Sequence, residues 1–249
     1  MNRRSLLITG ASLLGGAPTA MAAVSATAAE GPSLPAFTPG TRLLFQGDSI
    51  TDMKWGRNQK DRNHYLGHSY VFLLAARLGV DMASIPLDFL NRGHSGNTVA
   101  DLRKRWRQDA VDLNPDVLSV LIGTNDVASG VQADAYEADY RHLLETSREA
   151  NPDLKLVLLD PFVLQSGPLS EEGVWKTRRE ATDALRKVVA RLARDFNAVH
   201  VKTQQVFDAA AKEVPPDHWI WDGIHPLPQG HELIARQWLH EVSRRWPKE

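Results

Sequence analysis

Arg42-Leu-Leu-Phe-Gln-Gly-Asp-Ser-Ile-Thr-Asp52 joins a short apolar run to a glycine-flanked turn that carries two hydroxyl groups and two carboxyl groups. The run over residues 42–46 is typical of a buried strand. Two later runs, over residues 87–91 and 117–122, also end in turns rich in glycine and polar residues. Parallel sheets bind ligands at the carboxyl ends of their strands, so these turns are the first candidates for a functional site.

Strands and helices alternate along the rest of the chain. The patterns predict strands at 42–46, 87–91, 117–122, 154–159 and 199–201, and helices at 66–78, 98–112, 133–150, 177–197 and 229–244. Five strands that alternate with helices predict an α/β fold, with a parallel sheet covered on both faces.

The composition limits the chemistry. A chain of 249 residues, 43% of them hydrophobic, supports one sizeable core. Its 29 basic and 30 acidic residues give a net charge of -1, which does not favour nucleic acid as a partner. The absence of cysteine excludes disulfides, zinc-thiolate sites and a cysteine nucleophile, so covalent chemistry must use oxygen or nitrogen.

The first 29 residues are typical of an export signal peptide. Arg3 and Arg4 precede an apolar stretch over residues 6–14, and Ala20-Met21-Ala22 offers a cleavage site near 22, with a later one near 29. The arginine pair also resembles a twin-arginine signal. The stretch is too short for stable membrane insertion. We therefore expect an exported protein, periplasmic or extracellular, with a disordered linker over residues 30–40 and one domain over residues 41–249.

The polar turns supply the parts of an acyl-transfer site. Ser49 lies on a tight turn that suits a nucleophile, and His225 is a base that titrates near neutral pH. Asp222, three residues earlier, can orient the imidazole ring. The Asn125 carboxamide and the backbone amides of Ser49 and Gly96 can donate hydrogen bonds to an oxyanion. Each turn alone is also explained as a helix cap or a surface loop, and the conjunction favours a site.

The motifs resemble those of the SGNH or GDSL hydrolase family, whose four signature letters are matched by Ser49, Gly96, Asn125 and His225. The resemblance implies a flavodoxin-like three-layer α/β/α sandwich. It also implies that Ser49 is the nucleophile, His225 the base and Asp222 its partner. The Ser49 and Gly96 amides and the Asn125 side chain would form the oxyanion hole. This mechanism requires neither a metal nor an organic cofactor.

Within that family, residues 66–71 and 91–101 and the Arg105-Trp106 pair look most like the acetylxylan esterase branch of carbohydrate esterases. We therefore expect an exported serine esterase that removes acetyl groups from a polysaccharide or oligosaccharide such as acetylated xylan. Residues 124–128 depart from this branch, which usually has Ile before the Asn and Trp-Arg after the Val. Alternatives are a lysophospholipase, thioesterase or arylesterase of the same family, and a noncatalytic carbohydrate-binding module.

Four residues near these motifs are predicted to bind the substrate: Asp48, Trp55, Trp219 and Trp221. The last two, two positions apart in an extended run, would point to one side and could stack on a sugar. Packing of Trp221 against its own loop is the other interpretation.

Two further features have competing interpretations. His218, Asp222 and His225, with nearby carboxylates, could instead bind a metal ion, as in metal-dependent phosphoesterases. The basic residues of 103–107 are predicted to form the solvated face of a helix. No sequence feature decides between a monomer and a homo-oligomer.

Overall fold

Five parallel strands form the central sheet of the structure, a computed structural model that describes residues 34–248. They are β1 (Arg42–Gly47), β2 (Asp88–Gly93), β3 (Val117–Leu121), β4 (Lys155–Leu159) and β5 (Val199–Val201). The strand order is β2-β1-β3-β4-β5, which is the flavodoxin-like order. The predicted five-stranded parallel sheet is confirmed.

Helices connect the strands and extend past the last one. They are α1 (Ser49–Asp52), α2 (Tyr70–Asp81), α3 (Val99–Asp109), α4 (Thr124–Ala128), α5 (Ala133–Ala150), α6 (Glu172–Asp195), α7 (Thr203–Glu213) and α8 (Pro228–Arg245). Single 3-10 turns lie at Val111–Leu113, Gly167–Leu169 and Pro216–His218. Within residues 34–248, none of the helices combines the length and apolarity needed to cross a membrane.

The sheet separates two hydrophobic cores. Leu43 and Phe45 of β1 face the core that α2, α7 and α8 cover, whereas Leu44 faces the core that α3, α5 and α6 cover. This division follows from the strand period of two, which sends successive side chains to opposite faces. Ser119 lies buried in β3, where its hydroxyl group accepts a hydrogen bond from the indole of Trp238 at 3.0 Å. The two cores give the expected three layers.

Several helix boundaries differ from the predicted ones. Helix α2 begins at Tyr70 rather than at residue 66, because Gly67 has a φ of +69° and Ser69 caps the helix. Helix α6 begins at Glu172 rather than at residue 177, where the Glu171 carboxylate accepts hydrogen bonds from two backbone amides of the first turn. Helix α7 was not predicted, and it packs through buried Phe207.

The predicted linker over residues 30–40 is partly ordered. Pro35 forms an antiparallel bridge with Pro247, and the Phe37 side chain belongs to one of the hydrophobic cores. Residues 35 and 37 therefore pack with the domain rather than form a disordered linker before it. The predicted signal peptide over residues 1–29 lies outside the described residues.

Candidate active site

Ser49 begins helix α1, immediately after strand β1. The turn is tight because Gly47 has no side chain: a Cβ atom there would collide with Thr51 Oγ1 and with the carbonyl oxygen of Leu121. The Asp48 carboxylate caps α1 by accepting a hydrogen bond from the Ile50 amide at 2.9 Å. This geometry presents the Ser49 hydroxyl group beyond the end of the sheet.

The Ser49 hydroxyl group meets the side chain of His225. Ser49 Oγ lies 2.9 Å from His225 Nε2, although the two residues are 176 positions apart in the chain. His225 Nδ1 lies 2.7 Å from Asp222 Oδ2. When Nδ1 donates its hydrogen to the carboxylate, Nε2 is the acceptor for the Ser49 hydroxyl group. The three side chains therefore form one continuous hydrogen-bonded relay.

The loop that carries Asp222 and His225 is built around the carboxylate. Asp222 Oδ1 accepts hydrogen bonds from the backbone amides of Ile224 at 3.0 Å and His225 at 2.7 Å. Gly223 permits this turn with a φ of +83°. Burial raises the pKa of Asp222, but the hydrogen bonds from the His225 ring and from the two amides outweigh it and hold the pKa below 3.8. The carboxylate is therefore ionised near neutral pH, as an orienting group must be.

Gly96 lies in the turn after β2, and Asn125 lies near the start of helix α4, which follows β3; β2 and β3 are the two strands next to β1. Gly47 of β1 is in register with Gly93 of β2 and with Leu121 of β3, so these turns leave the same edge of the sheet. The Asn125 carboxamide donates a hydrogen bond to the carbonyl oxygen of Asn97 at 3.0 Å, which joins the turns after β2 and β3. The amide nitrogen carries a second hydrogen that can serve a ligand.

The four predicted substrate-binding residues do not share one surface. Asp48 is only 1% exposed, beneath the turn, so the prediction that it contacts substrate is corrected. Trp55 is also buried, and its indole donates a hydrogen bond to the Gly93 carbonyl oxygen at 2.8 Å. Its ring supports the loop after β2 and is not a free stacking platform.

The two C-terminal tryptophans differ from each other. Trp219 is half-buried in a helical conformation after a 3-10 turn, and its indole donates to the Val214 carbonyl oxygen at 3.3 Å. The expected extended run with both rings on one side is therefore wrong. Trp221 is 59% exposed, directly beside Asp222. Of the four residues, it alone presents a large accessible aromatic surface.

The carboxylates considered for a metal site have other partners. The Asp126 carboxylate caps α3 by accepting from the Val99 amide at 3.0 Å, and Asp52 accepts from Arg57 and Ser95. His218 lies in a 3-10 turn and is exposed. Across residues 34–248, no group of three or more histidines and carboxylates is arranged to hold a metal ion.

Two polar residues that support the site were not predicted to do so. Asn91 donates to the carbonyl oxygens of Thr51 and Leu66 and so fixes the loops around α1. Arg105 donates to Asn97 Oδ1 at 2.9 Å and is only 17% exposed, which corrects its placement on a solvated helix face. Asn91 could have been identified from the sequence, because it is a polar residue at the end of a predicted buried strand. Arg105 could not, because the basic residues around it look the same in the sequence.

A model of the GDSL-like lipase/acylhydrolase family matches residues 45–233 of this sequence. An acetylxylan esterase of Geobacillus stearothermophilus is 33% identical over 219 residues, which cover 83% of this chain and 96% of that protein. A crystal structure of a putative GDSL-like lipase from Parabacteroides merdae has a TM-score of 0.77 at 36% identity, covering 83% of this chain and 97% of that one.

The crystal structure of the Geobacillus acetylxylan esterase has a TM-score of 0.72 at 30% identity, covering 85% of this chain and 98% of that one. Other structures of that enzyme are described as catalytic mutants, with alanine in place of a serine, a histidine or an aspartate.

Burial of the Asp48 carboxyl group makes the free energy of unfolding of the protein depend on pH. Burial raises the pKa of Asp48 from 3.8 to about 7, and Oδ2 is buried with no hydrogen-bond partner among the described residues. Between about pH 4 and pH 7 the folded protein retains a proton that the unfolded chain releases. The free energy of unfolding therefore falls as the pH rises through this window.

Asp48→Asn removes the buried charge and keeps an oxygen that can cap α1. We expect its free energy of unfolding at pH 8 to exceed that of the wild type by about 1–3 kcal/mol, with a smaller difference at pH 4. Urea titrations at both pH values measure this, with the exposed Asp153→Asn as the control. An Asp48→Asn variant no more stable than the wild type at pH 8 would contradict the assignment.

Proposed function

The chain belongs to the GDSL-like lipase/acylhydrolase family and is a carboxylic ester hydrolase related to acetylxylan esterase, and we propose that it removes acetyl groups from cell-wall polysaccharides or oligosaccharides such as acetylated xylan. The observation that carries the catalytic part is the relay from Ser49 Oγ through the His225 ring to Asp222. The similarity to an acetylxylan esterase over most of both chains supports the substrate.

In the first step, Ser49 Oγ attacks the carbonyl carbon of the acetyl ester while His225 Nε2 takes the hydroxyl proton. The ester carbonyl becomes a tetrahedral oxyanion, which the Ser49 and Gly96 backbone amides and the Asn125 carboxamide stabilise. His225 then gives its proton to the leaving sugar oxygen as the C–O bond breaks. Asp222 stabilises the imidazolium ion throughout.

In the second step, water replaces the sugar. His225 takes a proton from the water molecule, whose oxygen attacks the acetyl group on Ser49. The tetrahedral intermediate collapses, Ser49 Oγ recovers the proton from His225, and acetate leaves. The relay geometry supports this role because Nε2 already lies within hydrogen-bond distance of Ser49 Oγ.

Two features of the chain support a carbohydrate ester as the substrate. Trp221 is the exposed aromatic residue beside Asp222, so a sugar ring can stack on it while its ester reaches Ser49. The sequence has no long apolar insertion that would build a lid or an acyl tunnel, which favours short acyl groups over the long chains of lysophospholipids.

We also propose that the protein is exported before it acts. Arg3-Arg4, the apolar stretch over residues 6–14 and the Ala20-Met21-Ala22 site support this proposal. Fractionation of cells that express the full chain tests it. The mature protein is expected outside the cytoplasm with its first 22 to 29 residues removed, and a full-length protein that stays in the cytoplasm contradicts the proposal.

Substitution of a relay residue is expected to abolish turnover, whereas loss of one hydrogen-bond donor to the oxyanion is expected to lower kcat less severely. Ser49→Ala and His225→Ala should each reduce kcat on p-nitrophenyl acetate by about a thousandfold or more. Asn125→Ala should cost about a hundred- to a thousandfold, mainly in kcat. The exposed Ser84→Ala is the control and should keep full activity. Substantial turnover by Ser49→Ala would instead indicate another mechanism, and an inactive wild type would indicate a noncatalytic carbohydrate-binding module.

An acyl-chain profile separates the alternatives within the family. We expect p-nitrophenyl acetate to be hydrolysed faster than the octanoate ester, and acetate to be released from acetylated xylo-oligosaccharides. Trp221→Ala should lower kcat/KM on the oligosaccharide about tenfold relative to p-nitrophenyl acetate. Phe72→Ala, which removes an exposed aromatic ring on α2, is the matched control. A preference for long chains would favour a lysophospholipase or thioesterase.

A further inference from the structure

Three arginine side chains gather beside the catalytic turn, and the proposed mechanism uses none of them. Arg57 lies in the loop after α1, Arg92 in strand β2 and Arg105 in helix α3; together they are the arginine cluster. The guanidinium carbons of Arg57 and Arg92 lie 4.5 and 4.9 Å from the centre of the Trp55 ring. The buried indole thus brings two positive charges together.

The arginine cluster is close to the reacting groups. Arg57 donates to Asp52 Oδ2 at 2.7 Å, and Asp52 is the last residue of the helix that begins at Ser49. Ser49 and Asp52 are three positions apart in that helix, so their side chains lie on the same face of α1. Arg57 also donates to the carbonyl oxygen of Gly93 at 3.3 Å, and Gly93 is the last residue of β2 before the loop that leads to Gly96. A substituent next to an ester at Ser49 is therefore within reach of the cluster.

The cluster has more positive than negative charge. Asp52 pairs with Arg57, and Asp109 pairs with Arg105 at 2.9 Å. Within the described residues, Arg92 has no carboxylate partner, and its hydrogen bond goes to the Asn91 carbonyl oxygen at 3.0 Å. Two carboxylates thus serve three guanidinium groups.

The excess positive charge of the cluster is partly buried, which makes it energetically costly. Burial lowers the pKa of Arg92 and that of Arg105, although both groups stay ionised near neutral pH. One terminal nitrogen of Arg105 is buried without a hydrogen-bond partner among residues 34–248. A half-buried charge is costly unless it is paired. An anion from the solvent would supply the missing partner.

The chemistry of the cluster indicates which anion it suits. A guanidinium group binds a carboxylate through parallel hydrogen bonds in one plane. The entrance is accessible, because the side chain of Arg57 is 47% exposed and that of neighbouring His94 is 38% exposed. We propose that the arginine cluster is a subsite for a carboxylate on the substrate, so that the preferred ester is an acetylated oligosaccharide that also carries a uronic acid. This inference rests on the proposed function and specifies its substrate class.

The test compares three oligosaccharides with the wild-type enzyme: a neutral acetylated xylo-oligosaccharide, the same compound with a glucuronic acid substituent, and the latter with its carboxyl group methylated. We expect kcat/KM for the acidic compound to exceed that for the neutral one by about five- to twentyfold. The methyl ester should lose this preference, since it keeps the shape and removes the charge. Equal rates on the acidic and methylated compounds would overturn the subsite.

Variants locate the effect within the protein. Arg92→Gln should reduce the ratio of acidic to neutral kcat/KM to nearly one, and Arg92→Lys should keep part of it. Arg107→Gln is the matched control, because Arg107 lies on α3 and its side chain is 81% exposed. An unchanged ratio in Arg92→Gln would show that Arg92 only covers Trp55. Hydrolysis of p-nitrophenyl acetate but of none of the oligosaccharides would overturn both the carbohydrate function and the subsite, whereas equal rates on the acidic and methylated compounds overturn the subsite alone.

Discussion

The active site depends on how closely helix α1 approaches the end of the sheet. Side chains at Gly47 or Gly93 would collide with backbone or side-chain atoms of α1, so both strands must end in glycine there. This contact sets the position of Ser49, and a hydrogen bond from the Leu164 amide to the Gly223 carbonyl oxygen ties the loop of His225 to the segment after β4. A hydrogen bond of 2.9 Å then joins two residues that are 176 positions apart. The approach also buries Asp48, and the raised pKa of that group is a stability cost located directly beneath the nucleophile.

The sequence predicts the sheet, and it predicts that the side chains of Ser49, His225 and Asp222 come together, for physical reasons. Buried parallel strands appear as short apolar runs, and the residues after them lie together at one edge of the sheet. Helix α7 was missed because only two of its apolar residues, Val206 and Phe207, are larger than alanine, which leaves a weak helical pattern; contacts through Phe207 fix its place. Burial of Trp55 was not predictable either, because it depends on Gly93 and on the loop after β2, which meet only in the folded chain. Burial of Arg105 was not predictable for the same reason, because it depends on contact with Asn97 in the folded chain.

The relay and the surrounding residues serve different purposes. The chemistry proposed for Ser49, His225 and Asp222 suits any accessible ester, so these residues would not select a substrate by themselves. Under the proposed function, selection falls to residues outside the relay: exposed Trp221 on the loop of His225, and the arginine cluster, two members of which lie over the Trp55 ring. An aromatic surface and a positive patch would together suit a sugar polymer that carries both acetyl groups and carboxylates.

Covalent labelling of the nucleophile tests the relay most directly. A fluorophosphonate probe reacts with a serine whose hydroxyl group is activated by a neighbouring base, and peptide mass spectrometry then locates the modified residue. The relay predicts modification of Ser49 in the wild-type protein and little modification of any residue in His225→Ala. Labelling of a different serine, or undiminished labelling of Ser49 without the imidazole ring, would contradict it.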